Sequence, residues 1–335
     1  MKFQEIGPVS GGKDSDVAAT LLAWRQQRTG RAARFYMSDT CHEHDWTYEQ
    51  VDRLENRLGI TVERIKQDFT AAIMRRRKRL PVQWRAAGAP ESDIDEALSL
   101  LWPTGVAYLD LVLSKGMFAA GARMKFCTEE LKIRPYDEQI ATPLIEAGIA
   151  PVVWLGIRSD ESKKRANADL HPRFQKLGTF TPPIIKWSSL LFRPILDFTE
   201  ADVFDFHRKH NIPLNPLYAE GFKRVGCFPC INEKKASMAI IAKRFPEAID
   251  KIRQWEALVA KVAVARGTQP DKFSGDATFF PVGTVPGGGT NPIDSVARWS
   301  LTKHGGWLID MFAGERMPVQ DRGFYACTGG MGYCE

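Results

Sequence analysis

Six contiguous residues, Ser10-Gly11-Gly12-Lys13-Asp14-Ser15, have the types and spacing of an anion cradle. They follow a short apolar stretch that reads as a strand, and they precede Val17-Ala18-Ala19-Thr20-Leu21-Leu22-Ala23-Trp24, which reads as a helix. Two glycines allow a tight turn whose successive N–H groups point at an anion, and the helix start adds its partial positive charge. Lys13 brings mobile positive charge. Asp14 beside it is placed to hold Mg²⁺ on the phosphates of a nucleotide. The G-x-x-x-x-G-K-[ST] spacing of a Walker A loop is absent.

Further charged residues fall where strands should end. Asp39 closes a second apolar run and faces either the adenosine or the metal, or is an ordinary turn aspartate. His42 and His44 lack a carboxylate partner pattern and read as surface or substrate-loop histidines rather than metal ligands. Lys132 and Arg134 follow Cys127-Thr128. Arg158, Glu161 and Arg165 follow another apolar run, where arginines either grip phosphate or sulfate bidentately or form a helix-start salt-bridge set. Cys227 and Cys230 form a C-x-x-C, and Cys327 and Cys334 a looser pair in a glycine-rich segment. Four thiolates suit a [4Fe–4S] cluster or a tetrahedral Zn²⁺ site, and spacing does not choose between them. Cys41 reads as a buried, inert thiol.

The elements that must position these residues follow a βαβ rhythm. Arg34 to Met37 reads as a strand, Thr47 to Leu58 as a helix closed by Gly59, and Thr61 to Ile65 as a third strand. This implies an α/β fold, a doubly wound and mostly parallel sheet with its ligand site at the strands' C-terminal ends. A helix starting near Phe69 should end in Arg75-Arg76-Arg77-Lys78-Arg79, either a solvated helix end or a contact for nucleic-acid phosphates. Pro81 to Trp102 reads as an insertion, Val152 to Leu155 as a strand, and Thr199 as a helix cap. A helical pattern follows Cys230 to about Gly267, then a loop-heavy, glycine- and proline-rich stretch. The expected division is a nucleotide-binding domain over 1–225, with its insertion at about 81–102, and a cysteine-containing helical extension over 226–335.

Composition sets the broad class. The 335 residues are 44% hydrophobic and 26% charged, the balance of a globular protein with ample length for a core. Net charge of +6 favours anionic ligands without separating a nucleotide site from a nucleic-acid surface. A signal-peptide pattern and a run of eighteen apolar residues are both absent, so a cytoplasmic protein without membrane attachment is expected. In that reducing compartment the six cysteines are thiols or metal ligands rather than disulfides.

Five blocks in order carry a resemblance. They are Ser10 to Ser15; Cys127-Thr128-Glu129-Glu130-Leu131-Lys132-Ile133-Arg134-Pro135; Gly156 to Arg165; Pro194 to Val203; and Asn215-Pro216-Leu217-Tyr218 with Gly226-Cys227-Phe228-Pro229-Cys230. Together they resemble the phosphoadenosine-phosphosulfate reductase family, within the PP-loop ATP pyrophosphatases of adenine nucleotide alpha-hydrolase-like fold. Two departures bear on the activity this implies. Reductases of the family usually lack an intact Ser-Gly-Gly-Lys-Asp-Ser loop, and their Glu-Cys-Gly-Leu-His tail is matched poorly by Gly332-Tyr333-Cys334-Glu335. The resemblance therefore implies an enzyme that binds ATP and Mg²⁺, cleaves the α–β bond with release of pyrophosphate, and uses the adenylate for sulfur transfer or a related modification. Lys13, Asp14 and Arg158 would be catalytic, and Asp39, Lys132 and Arg165 would join the loop in binding the nucleotide. The alternatives are a thiol-dependent reductase of phosphoadenylyl or adenylyl sulfate and, in another class, a nucleotide- or nucleic-acid-binding module without turnover. Cys127 stands where related enzymes place a cluster cysteine and competes as a metal ligand. A nucleic-acid acceptor and a sulfur-donor protein are compatible partners, and the oligomeric state stays open.

Overall fold

The computed structural model describes residues 2–119, 126–167, 173–178, 188–263, 277–281, 284–285 and 291–302. The βαβ rhythm is present at once: β1 (Lys2–Pro8), α1 (Lys13–Thr29), β2 (Ala33–Ser38), α2 (Asp45–Leu58) and β3 (Val62–Ile65). β1 and β2 each bury three consecutive residues, as strands covered on both faces do. Gly59 closes α2 in the left-handed conformation, as its place in the sequence predicts.

β4 (Ile149–Trp154) lies on the other side of β1, followed by β6 (Ser188–Phe192), and both run parallel to it. β5 (Phe174–Gly178) adds an antiparallel edge to β6, giving the order β3-β2-β1-β4-β6-β5. Because the chain leaves β1 toward opposite sides, a crevice opens at the C-terminal ends of β1, β2 and β4. The fold is α/β, with a mixed, mostly parallel six-stranded sheet. Apolar residues cover both faces: Leu22, Phe35 and Leu54 fill one side, and Ile6, Tyr36, Tyr136 and Leu191 the other.

After β3 come α3 (Thr70–Ala86), α4 (Glu91–Leu100) and α5 (Ala107–Lys115). Here the structure corrects the reading of the arginine run as a helix end. α3 continues through Pro81, so Arg75 to Arg79 lie mid-helix. Proline removes one backbone hydrogen bond, but Leu80 and Trp84 on either side of it are buried and hold the helix together. A helical stretch over 126–146 alternates α and π turns and carries Lys132. α6 (Glu200–Lys209) starts at the expected cap, with the Thr199 hydroxyl accepting the Asp202 N–H and Asp202 accepting the Thr199 N–H.

α7 (Lys235–Arg244), α8 (Pro246–Lys261) and α9 (Ile293–Ser300) follow. They share one apolar core with α3, α4 and α5, which runs from Phe69 and Leu101 to Ile252, Phe279 and Trp299. No helix among the described residues is long and apolar enough to cross a membrane.

Candidate active site

The loop after β1 is shaped by close approach. Gly11 has φ of 68°, and a Cβ there would sit 2.9 Å from both the Thr47 Cγ2 and the Thr47 carbonyl. The Ser15 hydroxyl closes the loop on itself, lying 3.0 Å from the Ser10 hydroxyl and donating to the Gly12 carbonyl at 2.9 Å. Residues 200 positions downstream brace it from behind. Asn215 Nδ2 donates to the Gly11 carbonyl at 3.2 Å, His207 Nε2 lies 2.8 Å from the Lys13 carbonyl, and the Lys13 N–H donates to the Tyr218 hydroxyl at 3.0 Å. Asn215 and Tyr218 belong to one of the five blocks, but their role in bracing the loop is visible only in three dimensions.

Beside the loop a chain of ion pairs fixes the charged residues. Lys13 is 4% exposed. Its ammonium sits 3.3 Å from Glu200 and 3.6 Å from Asp14, donates to the Lys223 carbonyl at 3.2 Å, and faces the Tyr218 ring at 5.2 Å. Arg158, also 4% exposed, donates from Nε to Asp14 Oδ1 at 2.6 Å and pairs with Asp160 and Glu161. Glu161 in turn pairs with Arg165. Asp14 therefore lies between two cations. Gly156 is packed so tightly that a Cβ there would stand 2.5 Å from the Asp14 carbonyl oxygen. Asp16, fully buried below the loop, accepts from Gln50 Nε2 at 2.9 Å, and burial pushes its carboxyl up to about 7.

A cavity of about 140 Å³ opens at the crevice, lined among others by Ser10, Ser15, Ser38, Glu43, Lys132, Gly156 and Gly226. Of the expected contacts, Ser10, Ser15 and Lys132 line it, whereas Lys13, Asp14, Arg158 and Arg165 stand behind its wall as an ion-pair network. Asp39 supports the adjoining turn: its carboxylate accepts the Cys41 N–H at 2.8 Å and lies 2.7 Å from the Tyr48 hydroxyl.

Glu43, which the sequence reading missed, lines the cavity. Its carboxylate accepts the Thr40 hydroxyl at 2.8 Å and lies 3.1 Å from the Tyr48 hydroxyl. The sequence holds no signal for it beyond its place between two histidines, and those differ from expectation. His42 is buried between Tyr108 and Trp255 rather than on the surface, and burial holds its imidazole neutral, well below the usual range. His44 caps α2 by accepting the Trp46 N–H.

Cys227 stands against the same wall, its sulfur 3.9 Å from Glu43 Oε1 and 3.7 Å from the Thr40 hydroxyl. Burial raises its thiol pKa well above the usual range, Lys132 opposes that rise, and Glu43, Cys230 and Cys127 add to it. The buried Tyr108 hydroxyl, also raised chiefly by burial, feels Cys127, Cys227 and Cys230 together. The three thiols thus occupy one region. Even so, among the described residues no group of three or more His, Cys, Asp or Glu side chains is arranged to hold a metal ion. Cys327 and Cys334 lie outside the described residues. The described donors do not make a four-thiolate site.

Several known proteins resemble the chain in sequence. A 37.8 kDa protein of Escherichia phage 186, described as uncharacterized, is 36% identical over 327 residues, covering 92% of this chain and 91% of its own. An adenosine 5'-phosphosulfate reductase of Neisseria meningitidis serogroup A is 41% identical over 138 residues, which is 41% of this chain but only 50% of that enzyme. A phosphoadenylyl-sulfate reductase structure from Candida auris aligns weakly, with 14% identity, a TM-score of 0.41, and coverage of 68% of this chain and 82% of that one. The model of the phosphoadenosine phosphosulfate reductase domain matches residues 115–233, which hold Lys132, Arg158, Cys227 and Cys230. Through that domain and its reductase relatives, the chain belongs to the phosphoadenosine phosphosulfate reductase family.

Proposed function

We propose that the chain reduces the sulfate of an adenylyl or phosphoadenylyl sulfate at the expense of thiols. The observation that carries this reading is the thiol of Cys227, 3.9 Å from Glu43 Oε1, where Glu43 lines the same cavity as Lys132, Ser10, Ser15 and Ser38. The adenosine 5'-phosphosulfate reductases it resembles, which the chain spans by about half or less of their length, support the same class of substrate. In the reaction one thiol gives up its proton as its sulfur attacks the sulfate sulfur, the bond from sulfur to the phosphate oxygen breaks, and the nucleotide leaves with the electron pair, adenosine monophosphate from adenylyl sulfate or adenosine 3',5'-bisphosphate from phosphoadenylyl sulfate. A second thiol then attacks the first at its sulfur, releasing sulfite and leaving a disulfide. Cys227 and Cys230 supply the two thiols, and an external dithiol restores them. Lys132 neutralises the sulfate oxygens and favours the Cys227 thiolate, while Ser10, Ser15 and the loop backbone hold the phosphate in line. Arg158 and Lys13 position the loop through Asp14.

A second reading, cleavage of ATP between its α and β phosphates for sulfur transfer, is favoured by one observation, the intact Ser10 to Ser15 loop. Incubation with adenylyl sulfate or phosphoadenylyl sulfate plus a dithiol, beside ATP with Mg²⁺, separates the two. Sulfite that disappears in Cys227→Ser is expected. Pyrophosphate without sulfite would replace the first reading by the second. Iron and zinc content after anaerobic purification tests the competing role of the same thiols as metal ligands.

A further inference from the structure

α3 divides its arginines between two duties. Arg76 and Arg77 are turned to neighbouring backbone: Arg76 donates to the Leu113 carbonyl at 2.9 Å and to that of Val262, and Arg77 to the Leu101 carbonyl at 2.9 Å and to that of Leu98. The opposite stripe, Met74, Arg75, Lys78, Arg79 and Val82, is exposed at helical spacing. Arg75, Lys78 and Arg79 form no ion pair among the described residues, because Glu91 of the adjacent α4 pairs with Arg85 and Glu96 pairs with Lys261. Three positive charges thus stand within about one helical turn, some 6 Å of axis, open to solvent.

A second feature, just past the end of α4, is aromatic. Trp102 is 49% exposed although large rings are ordinarily covered. Arg77 stacks on the ring at 3.7 Å while bonding the carbonyls of Leu98 and Leu101, so the indole is clamped to α3 beside Lys78 in sequence. An exposed ring held by the same basic run that carries the three unneutralised cations suits a polymer that offers both phosphates and flat bases.

We propose that the exposed stripe of α3 and Trp102 form a docking surface for single-stranded nucleic acid, with phosphates on Arg75, Lys78 and Arg79 and a base stacked on Trp102. Unpaired bases can leave their stack to reach the indole, whereas those of a duplex cannot. The surface is separate from the cavity and stands whether or not the reduction proposed above is correct.

The test is fluorescence anisotropy of the full chain with a labelled single-stranded oligonucleotide, without nucleotide substrate, from about 50 to 200 mM salt, the range over which phosphate contacts are lost. Binding should weaken with salt. Replacing all three cations, Arg75→Gln, Lys78→Gln and Arg79→Gln, should lower the slope of log affinity against log salt by about 2 and weaken low-salt binding on the order of a hundredfold. Trp102→Ala should weaken it about tenfold with the slope unchanged. Arg28→Gln with Lys209→Gln, exposed cations elsewhere, should change neither, and circular dichroism melts establish that every variant folds. No binding at low salt, binding indifferent to the triple replacement or to Trp102→Ala, or capture by phosphatidylserine vesicles but not by the oligonucleotide would overturn the proposal.

Discussion

Asp14 and Arg158 show how a residue's task depends on its partner. A sequence reading that places Asp14 on Mg²⁺ and Arg158 on an anion sees each alone, and the 144 positions between them hide the 2.6 Å contact that joins them. Arg158→Lys should therefore act on folding as well as on binding, since a point ammonium cannot reproduce the guanidinium's contacts with Asp14, Asp160 and Glu161. Breaking a buried pair of this kind costs about 3 kcal/mol, readable in urea melts, and unchanged stability would make Arg158 a ligand contact instead. Asp16, two residues along α1 from Asp14, gives a prediction in pH. Its carboxyl is raised from 3.8 to about 7 by burial, so ionisation is disfavoured in the folded state. Stability from this group is complete below about pH 4 and is lost as pH rises through 7. Asp16→Asn should match the wild type near pH 4 and gain on it by as much as about 4 kcal/mol by pH 8. Glu256, also raised to about 7, keeps part of the slope in the variant. Melting curves across that range check the sign, and a variant that loses ground on the alkaline side would refute it.

At the scale of elements, contiguous signals were legible and shared ones were not. The tight loop leading into α1, the closure of α2 at Gly59 and the cap at Thr199 each rest on a few neighbouring residues, and the structure has all three. β5 and β6 have five residues each, and among the described residues β5 pairs only with β6, so their existence depends on partners a sequence does not display. The arginine run of α3 was the hardest to read, because five basic residues in a row look alike until the helix assigns them faces. Arg76→Ala should cost about 2–4 kcal/mol, since it strands two carbonyls that now receive charged hydrogen bonds. Arg75→Ala, one position away and exposed, should stay within about 0.5 kcal/mol. Equal losses in denaturant titrations would mean that the faces of the helix are wrongly assigned.

For the whole molecule, the sheet order explains why distant blocks meet. β1 sits between β2 and β4, so the loops at their ends bring Ser10, Ser38 and Gly156 to one cavity, and the 126–146 stretch adds Lys132. A ligand that fills this crevice ties both halves of the sheet together and must raise global stability by mass action, about 2.7 kcal/mol at a hundred times its Kd. For a chain of this size that is a rise in Tm of roughly 4 °C. Adenylyl sulfate should produce the rise without Mg²⁺, because the Asp14 carboxylate is already held by Arg158 and Lys13. Lys132→Met should abolish most of it, since among the described residues Lys132 is the cation that lines the cavity. A rise seen only with ATP and Mg²⁺ together would mean that the metal displaces Arg158 from Asp14. That outcome would move the chemistry from sulfate reduction to cleavage at the α phosphate.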